Sequence, residues 1–415
     1  MPYRHNESMT GIEVLIVGGG MITHDQLLPS ILHMQRRGLV GDVAVCASRP
    51  ETVKRLAAAE SLKLAFPGQT FRRFPEGGPP RPELFREVIG RMPPGQLVIV
   101  ALPDQLHFDV IMTALRHDQH VCVVKPMVLE YREAQEIERE ARARGLLVAV
   151  EYHKRWDYRN LIARRRYREG SFGEFRLGTA CLLEKWSYRQ SNFQNWMTTE
   201  NSDAFSYVGC HYVDLVHFIT GLLPVRVSVF GIRDHFPNGN EGFLWTDARV
   251  IWNNGACLSV QNALAFPDAA PGSNAQGLTL YCQSASDGTL LSHSDQYRGL
   301  KYSFAESPEP GGAAYREPNP DYFEYVDLGG PGLVPVGYGY RSVEHIVSSA
   351  IRIAAEPDLQ ARQRILRETD EVGIIATPAN SAYNELIIEA GRRSILNGGS
   401  NEHVELPAER HAHEK

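Results

Sequence analysis

The sequence lacks most features that would point away from a globular protein working on small molecules. No apolar run approaches the roughly 20 residues that a bilayer-crossing helix needs. The first ten residues, MPYRHNESMT, are polar and hold no apolar stretch of the kind a secretory leader carries. No membrane attachment is expected, and a cytoplasmic location is. Positive charge is in deficit: 43 Lys and Arg against 49 Asp and Glu leave a net charge of −6. That argues against nucleic acid as a partner, because phosphate backbones need a concentrated basic surface. The six cysteines (Cys46, Cys122, Cys181, Cys210, Cys257, Cys282) are widely spaced with no CxxC pair. Reduced thiols are therefore expected, and no metal site. Internal repeats are missing too.

What is present is ordinary globular material, 43% apolar and 22% charged over 415 residues, enough for two domains. Ile12–Val17, Val43–Ala47, Leu97–Leu102, His120–Val124 and Leu146–Tyr152 are short apolar runs of the kind buried on both sheet faces. Amphipathic stretches at 26–37, 51–59, 105–116 and 130–144 separate them. Strand and helix alternating in this rhythm predict a doubly wound parallel sheet with right-handed crossovers. One short strand is expected within the Pro-, Gly- and Arg-rich stretch 65–82.

Beyond about residue 155 the rhythm changes. After a helix at 160–169, strands are predicted near 174–182, 226–232, 246–252, 257–262, 278–282 and 288–292, joined by turns such as Asn253-Asn254-Gly255. This reads as a large, mostly antiparallel sheet, interrupted by one helix at 205–220 and followed by helices at 342–355 and 381–396. The expected organisation is an α/β protein: a Rossmann domain at 1–151, an α+β substrate and oligomerisation domain at 152–400, and a flexible tail at 401–415.

A glycine turn between a buried strand and a helix lets the backbone approach a pyrophosphate at the helix N-terminus. Gly18-Gly19-Gly20-Met21-Ile22-Thr23 supplies the first two fingerprint glycines and places Thr23 at the third. At the end of the second strand, where a carboxylate would receive a ribose 2′-hydroxyl, no Asp or Glu occurs between Val43 and Pro50; Ser48 and Arg49 stand there. A hydroxyl followed by a guanidinium suits a 2′-phosphate, so the expectation leans to NADP over NAD.

Five segments in order, GGGMI (18–22), VALPDQLHFDVIMTAL (100–115), HVCVVKP (120–126), EYHKRWD (151–157) and GCHYVDLVHFITG (209–221), resemble the glucose–fructose oxidoreductase/inositol dehydrogenase/rhizopine-catabolism family, Gfo/Idh/MocA. The likeness runs motif by motif from about 12 to 225 and beyond that only in general architecture. It implies an NAD- or NADP-dependent sugar or cyclitol dehydrogenase. The resemblance places Gly18, Gly20, Met21, Ile22, Leu102, Pro103 and His107 beside the cofactor. Lys125 matches the lysine of a Glu-Lys-Pro signature, which contacts both the nicotinamide ribose and the reacting hydroxyl. His211 and Asp214 match a His-x-x-Asp on the helix of the second domain, and Trp156 and Trp196 match positions near the cleft. Two departures stand out: Val124 replaces the signature glutamate, and Tyr207 stands four residues before His211, where many members carry a catalytic Asp. Asp203 lies one turn further back, so Asp203, Tyr207 and His211 are expected on one helix face at i, i+4 and i+8.

Oxidising a carbinol requires a base for the hydroxyl proton while hydride leaves carbon, and histidine suits that transfer. The expected roles are His211 as acid/base, Lys125 as electrostatic partner or relay, and Tyr207 positioning the substrate. Arg155, Trp156, Trp196 and Asp203 are expected at the substrate, since aromatic faces cover C–H patches of a polyol while polar groups bond its hydroxyls. His153, Lys154, Trp186, Tyr188, Arg189 and Asn195 belong to the same polar-aromatic stretches. Asp214 is expected as a hydrogen-bond acceptor, and His217 at the helix surface or a domain contact. The leading function is NAD(P)-dependent oxidation or reduction at a secondary hydroxyl carbon of a sugar, glycoside or cyclitol, by a homodimer or homotetramer. A redox-assisted glycosidase and a non-catalytic cofactor-binding regulator are the alternatives.

Overall fold

The computed structural model describes residues 11–270, 274–285, 287–294 and 319–405. Strands β1 (Ile12–Val17), β2 (Val40–Cys46), β3 (Arg72–Phe74), β4 (Leu97–Val100), β5 (His120–Val124) and β6 (Val148–Glu151) form one parallel sheet in the order β3-β2-β1-β4-β5-β6. The crossovers carry α1 (Leu28–Arg36), α2 (Pro50–Ala58), α3 (Glu60–Ala65), α4 (Leu84–Ile89), α5 (His107–Arg116) and α6 (Tyr131–Arg144). Strand order reverses between β1 and β4, which puts the ligand crevice of an open α/β sheet at their carboxyl ends. The sequence pattern missed α3 and α4, because six residues are too few for a helical period to register.

The remainder folds around a second sheet: β7 (Glu174–Lys185), β8 (Pro224–His235), β9 (Glu241–Trp252), β10 (Cys257–Phe266), β11 (Asn274–Gln283) and β12 (Gly288–Ser294). A small hairpin, β13 (Glu324–Val326) and β14 (Val334–Val336), follows, and β15 (Glu402–His403) closes the edge of the large sheet. The order is β12-β11-β7-β10-β9-β8-β15, antiparallel except at the β7–β10 pair. Its helices are α7 (Tyr158–Arg168), α8 (Cys210–Thr220), α9 (Tyr338–Ala354), α10 (Leu359–Val372), α11 (Pro378–Ser381) and α12 (Tyr383–Leu396).

Because successive strand side chains point to opposite faces, β1 feeds two cores. Leu15 and Val17 join a core that runs on through Tyr152 and α8 to the inner face of the second sheet. Val14 and Ile16 join the other, closed by α1 and, from far along the chain, by Val343, Ile346, Val347, Ala350 and Ile353 of α9. The boundary expected at 151/152 therefore separates the two sheets but not the two cores. The expected tail begins inside the second sheet, since Glu402 and His403 pair with β8; its residues 406–415 lie outside the described ones. Among the described residues, no helix is long and apolar enough to cross a membrane.

On the outer face of the second sheet, Leu177, Tyr281 and Leu290 sit side by side on β7, β11 and β12, each more than half exposed. Nothing in the chain covers them among the described residues.

Candidate active site

The glycine turn leaves β1 at Gly18, whose φ of +116° is a region that side-chain-bearing residues rarely adopt. A Cβ there would sit 1.9 Å from the Ala101 carbonyl oxygen at the end of β4, so the turn and the switch-point loop can nest only around glycine. A Cβ on Gly20 would meet nothing within 4 Å; it would project into the space where a ligand must approach the backbone. Thr23, at the third fingerprint position, returns its hydroxyl to the Gly18 carbonyl at 2.8 Å and ties the turn to the helix start. That start is a π turn, Thr23–Leu27, which runs directly into α1.

In front of this turn opens a cavity of about 960 Å³, ample for a dinucleotide's reactive half with a small substrate. Gly19, Gly20, Met21, Ile22, Leu102, Pro103 and Lys125 line it from the parallel sheet; Trp196, Tyr207 and His211 line it from the second domain. Lys125, at the tip of β5, donates from Nζ to the Tyr207 carbonyl and lies 3.7 Å from the centre of the Tyr207 ring, a cation–π contact. A second π turn, Phe205–Gly209, carries Tyr207 and precedes α8, so the helix expected as one piece is two. Single π turns recur at functional sites, and here both flank the same cavity. Tyr207 is wedged edge-on against Phe193 and Trp196, with ring centres 4.9 and 5.5 Å away.

His211 opens α8 almost wholly buried, its Nδ1 without a hydrogen-bond partner among the described residues. Burial, with Lys125, His153 and Lys154 nearby, pushes its pKa well below the usual histidine range, so the ring is neutral. Burial likewise pushes the carboxyls of Asp104 and Glu184 up. Asp104 accepts from the Ser202 hydroxyl at 3.1 Å, and Glu184 from Asn274 at 3.4 Å.

Residues 153–156 form a single 3₁₀ turn, and its three-residue period sends neighbours in different directions. His153 and Lys154 face the cavity. Arg155 turns inward and is 2% exposed, donating from Nε and Nη2 to the two Asp214 carboxylate oxygens at 2.8 and 2.6 Å. Trp156 lies flat on His345, ring centres 4.2 Å apart. Arg155 and Trp156, expected at the substrate, thus do not line the cavity, and His153 and Lys154 of the same stretch do. Asp203 does not reach it either. Its carboxylate accepts from the Ser206 amide and hydroxyl at 2.8 and 3.0 Å, capping the helix start, with Arg392 beside it. The π turn breaks the simple i, i+4, i+8 row in which Asp203 was expected.

His107 is buried behind the site, with one ring nitrogen 2.8 Å from the Leu102 carbonyl and the other 3.0 and 3.1 Å from those of Pro126 and Met127. It ties the loops that carry Pro103 and Lys125 without touching the cavity. Ser48 and Arg49 are exposed at the start of α2, outside the cavity. Tyr188 is on the wall. Trp186 and Arg189 instead stack on each other, Arg189 pairing with Asp234, while Asn195 contacts Asn192 and Asn238. Asp214 also accepts from Tyr383 at 2.9 Å and Asn384 at 3.2 Å. His217 packs at a tilt against Tyr383, ring centres 4.1 Å apart, and meets the Leu222 carbonyl at 2.8 Å.

Asp104, Glu151, Glu184, Asn274, Gln276, Tyr322 and Tyr338 also line the cavity and were not singled out from sequence. One signal existed. Glu151 ends the apolar run LLVAVE, and a carboxylate in a buried strand demands a reason. Asp104 sits inside the matched segment 100–115 beside Pro103 but was passed over there, and the others lie on strands, a loop and a helix remote in sequence, where no motif marks them.

Comparison with known proteins places this geometry. Residues 12–152 match the model of an oxidoreductase family, GFO_IDH_MocA, with an NAD-binding Rossmann fold. Over 152 residues the chain is 34% identical to scyllo-inositol 2-dehydrogenase (NADP(+)) IolW of Bacillus subtilis, covering 36% of this chain and 42% of that protein. Over 134 residues it is 25% identical to 2,7-anhydro-N-acetylneuraminate hydratase of Escherichia coli, covering 32% and 36%. The chain thus spans between about a fifth and two fifths of the length of the first curated relatives it matches. Among solved structures, the fold resembles scyllo-inositol dehydrogenase from Lactobacillus casei with bound NAD(H) and scyllo-inositol, with a TM-score of 0.60, 14% identity and coverage of 95% and 99% of the two chains. It also resembles the WlbA dehydrogenase of Bordetella pertussis in complex with NADH and UDP-GlcNAcA, with a TM-score of 0.65, 15% identity and coverage of 96% and 100%. The likeness to the Gfo/Idh/MocA family of oxidoreductases thus rests on residues 12–152, which match its NAD-binding Rossmann domain, while the chain as a whole shares the two-sheet fold of these solved structures.

Proposed function

We propose that this chain is an NAD(P)-dependent dehydrogenase acting at a secondary hydroxyl carbon of a sugar, glycoside or cyclitol. One observation carries the reading: a lysine from the parallel sheet and a neutral histidine from the second domain meet in a single cavity that begins at the glycine turn. Gly18 and Gly20 suit a dinucleotide, the first by its nesting against Ala101 and the second by the open space above it. Met21, Ile22, Leu102 and Pro103 continue the same wall. When bound, the nicotinamide supplies the acceptor for hydride from the carbinol carbon. His211 takes the hydroxyl proton on its imidazole, which burial keeps unprotonated. The Lys125 ammonium, steadied by the Tyr207 carbonyl, donates to the oxygen as negative charge develops. Tyr207 has its phenol pushed far above the usual range by burial, so it positions rather than abstracts a proton. Trp196 and Tyr188 offer faces for C–H patches, and Lys154, Glu184 and Gln276 offer bonds to further hydroxyls.

NADP is favoured over NAD: the end of β2 carries Ser48 and the exposed Arg49 and no carboxylate. The apolar row on the outer face of the second sheet fits a homodimer or homotetramer assembled through that face. Six free thiols, four of them buried, fit a cytoplasmic location.

The test is to identify the nucleotide that the purified protein retains, then to screen polyols and glycosides with it. Stoichiometric change in the nicotinamide absorbance is expected. Lys125→Met and His211→Ala should each lower turnover by about 10²-fold or more while changing cofactor affinity little. Near-normal rates in either variant refute the assignment, and aglycone release without net absorbance change would mean a redox-assisted glycosidase instead.

A further inference from the structure

The pairing of buried Glu151 with the partly buried His153 is left unexplained by a mechanism that uses only Lys125, Tyr207 and His211. Resting on the dehydrogenase reading, we propose that His153, held by Glu151, is a proton relay that takes the substrate's hydroxyl proton onward from His211.

Glu151 is 2% exposed at the end of an otherwise apolar strand, a placement that costs several kcal/mol unless the carboxylate is well partnered. Its partners fix its direction. Tyr322 donates its hydroxyl to Gln26 Oε1 at 2.6 Å, which turns the Gln26 amide nitrogen onto Glu151 Oε1 at 3.0 Å. The Ser342 hydroxyl donates to the same oxygen. The other oxygen, Oε2, is 3.0 Å from His153 Nδ1. A carboxylate is acceptor-only, so Nδ1 carries the proton and Nε2 is left as an acceptor. The His153 ring meets the His211 ring at 4.8 Å between centres, and both line the cavity. On the far side Tyr322 and Tyr338 close over it at 5.2 and 5.7 Å.

The two imidazoles are therefore unequal. His211 has a buried Nδ1 without a partner among the described residues, and positive neighbours, so a proton it accepts is poorly held. An imidazolium at His153 would face a fixed carboxylate. In oxidation the O–H and C–H bonds break and the carbonyl π bond forms; the hydride's electron pair goes to the nicotinamide dinucleotide. The proton goes to His211 and then to His153 Nε2. Reduction runs the same path backwards, and no other co-reactant is needed.

The experiment compares native chain, His153→Ala and Glu151→Gln on the polyol and nucleotide found by the screen. His153→Ala should lose about 10²-fold in kcat, with KM and cofactor binding within about threefold. Free imidazole in the buffer should restore at least about tenfold, which a merely structural lesion would not permit. Glu151→Gln keeps acceptors for Gln26 and Ser342 but presents an N–H donor to His153. That reverses the ring's tautomer, so kcat should fall similarly without imidazole rescue. Should Glu151→Gln fail to fold, His153→Ala decides alone, since its side chain lies on the cavity wall. A kcat within about threefold of native, or a loss confined to KM, overturns the relay. No turnover by the native chain on any polyol with either nucleotide overturns the dehydrogenase reading and the relay with it.

Discussion

Asp214 offers a sharp test of which polar residues near the site are chemical and which are architectural. Its carboxylate receives two bonds from Arg155 at 2.8 and 2.6 Å, one from Tyr383 at 2.9 Å and one from Asn384 at 3.2 Å. Both members of the ion pair are 2% exposed at their side chains. Asp214→Ala would leave a guanidinium in the core with, among the described residues, the Tyr383 hydroxyl at 3.3 Å as its one remaining hydrogen-bond partner, and breaking such a pair from one side costs about 3–5 kcal/mol. The pair as a whole contributes much less, because desolvating two ions offsets most of their attraction. The double variant Arg155→Met/Asp214→Leu should therefore be more stable than Asp214→Ala by about 2 kcal/mol or more. Urea unfolding followed by tryptophan fluorescence gives both differences. The loss should survive added salt, since buried charges are screened little. If Asp214→Ala unfolds within about 1 kcal/mol of the native protein yet loses turnover, Asp214 acts in the chemistry and the argument fails.

Three further outcomes follow from other parts of the molecule. Arg49→Ala should weaken NADP about tenfold more than NAD in direct titrations, as loss of a phosphate contact would; equal weakening means Arg49 does not read the phosphate. Gly18→Ala should abolish cofactor binding or folding, because its Cβ would lie 1.9 Å from the Ala101 carbonyl oxygen at a φ of +116°; a variant that binds nucleotide normally in fluorescence titration would show that the turn is not so constrained. Burial holds the Glu385 carboxyl up to about 8 against an ordinary 4.5. Between those values the folded protein keeps a proton that the unfolded chain has released, so stability falls as pH rises through that window. Glu385→Gln should remove the dependence and gain on the native protein by a few kcal/mol between about pH 5 and 8; parallel stability profiles would refute it.

The sequence was most legible where chemistry is local. Buried parallel strands read as apolar runs, so five of the six strands of the first sheet were expected close to where they lie, and β3 falls in the stretch given one short strand. Six strands of the second sheet were expected near their places, each shorter than found. The helix ending at Gly221 was expected too, although its first turn is π-helical. Lys125, Tyr207, His211 and Trp196 were marked by order and motif, and all four line one cavity. Arg155, Trp156 and Asp203 were also expected at the substrate and do not. A motif specifies residue type at a spacing, whereas direction depends on whether the local turn is α, 3₁₀ or π.

By itself, the sequence determined the alternation of strands and helices, the glycine turn and the identity of the reactive side chains, because backbone sterics and hydrophobic period act over a few residues. Only the tertiary structure decided that α9 closes the first sheet, that Arg155 spends its charge on Asp214, and that Glu151 stands behind His153 beside His211. Those pairings join positions up to hundreds of residues apart, and burial, which sets their electrostatics, does not exist until the chain has folded.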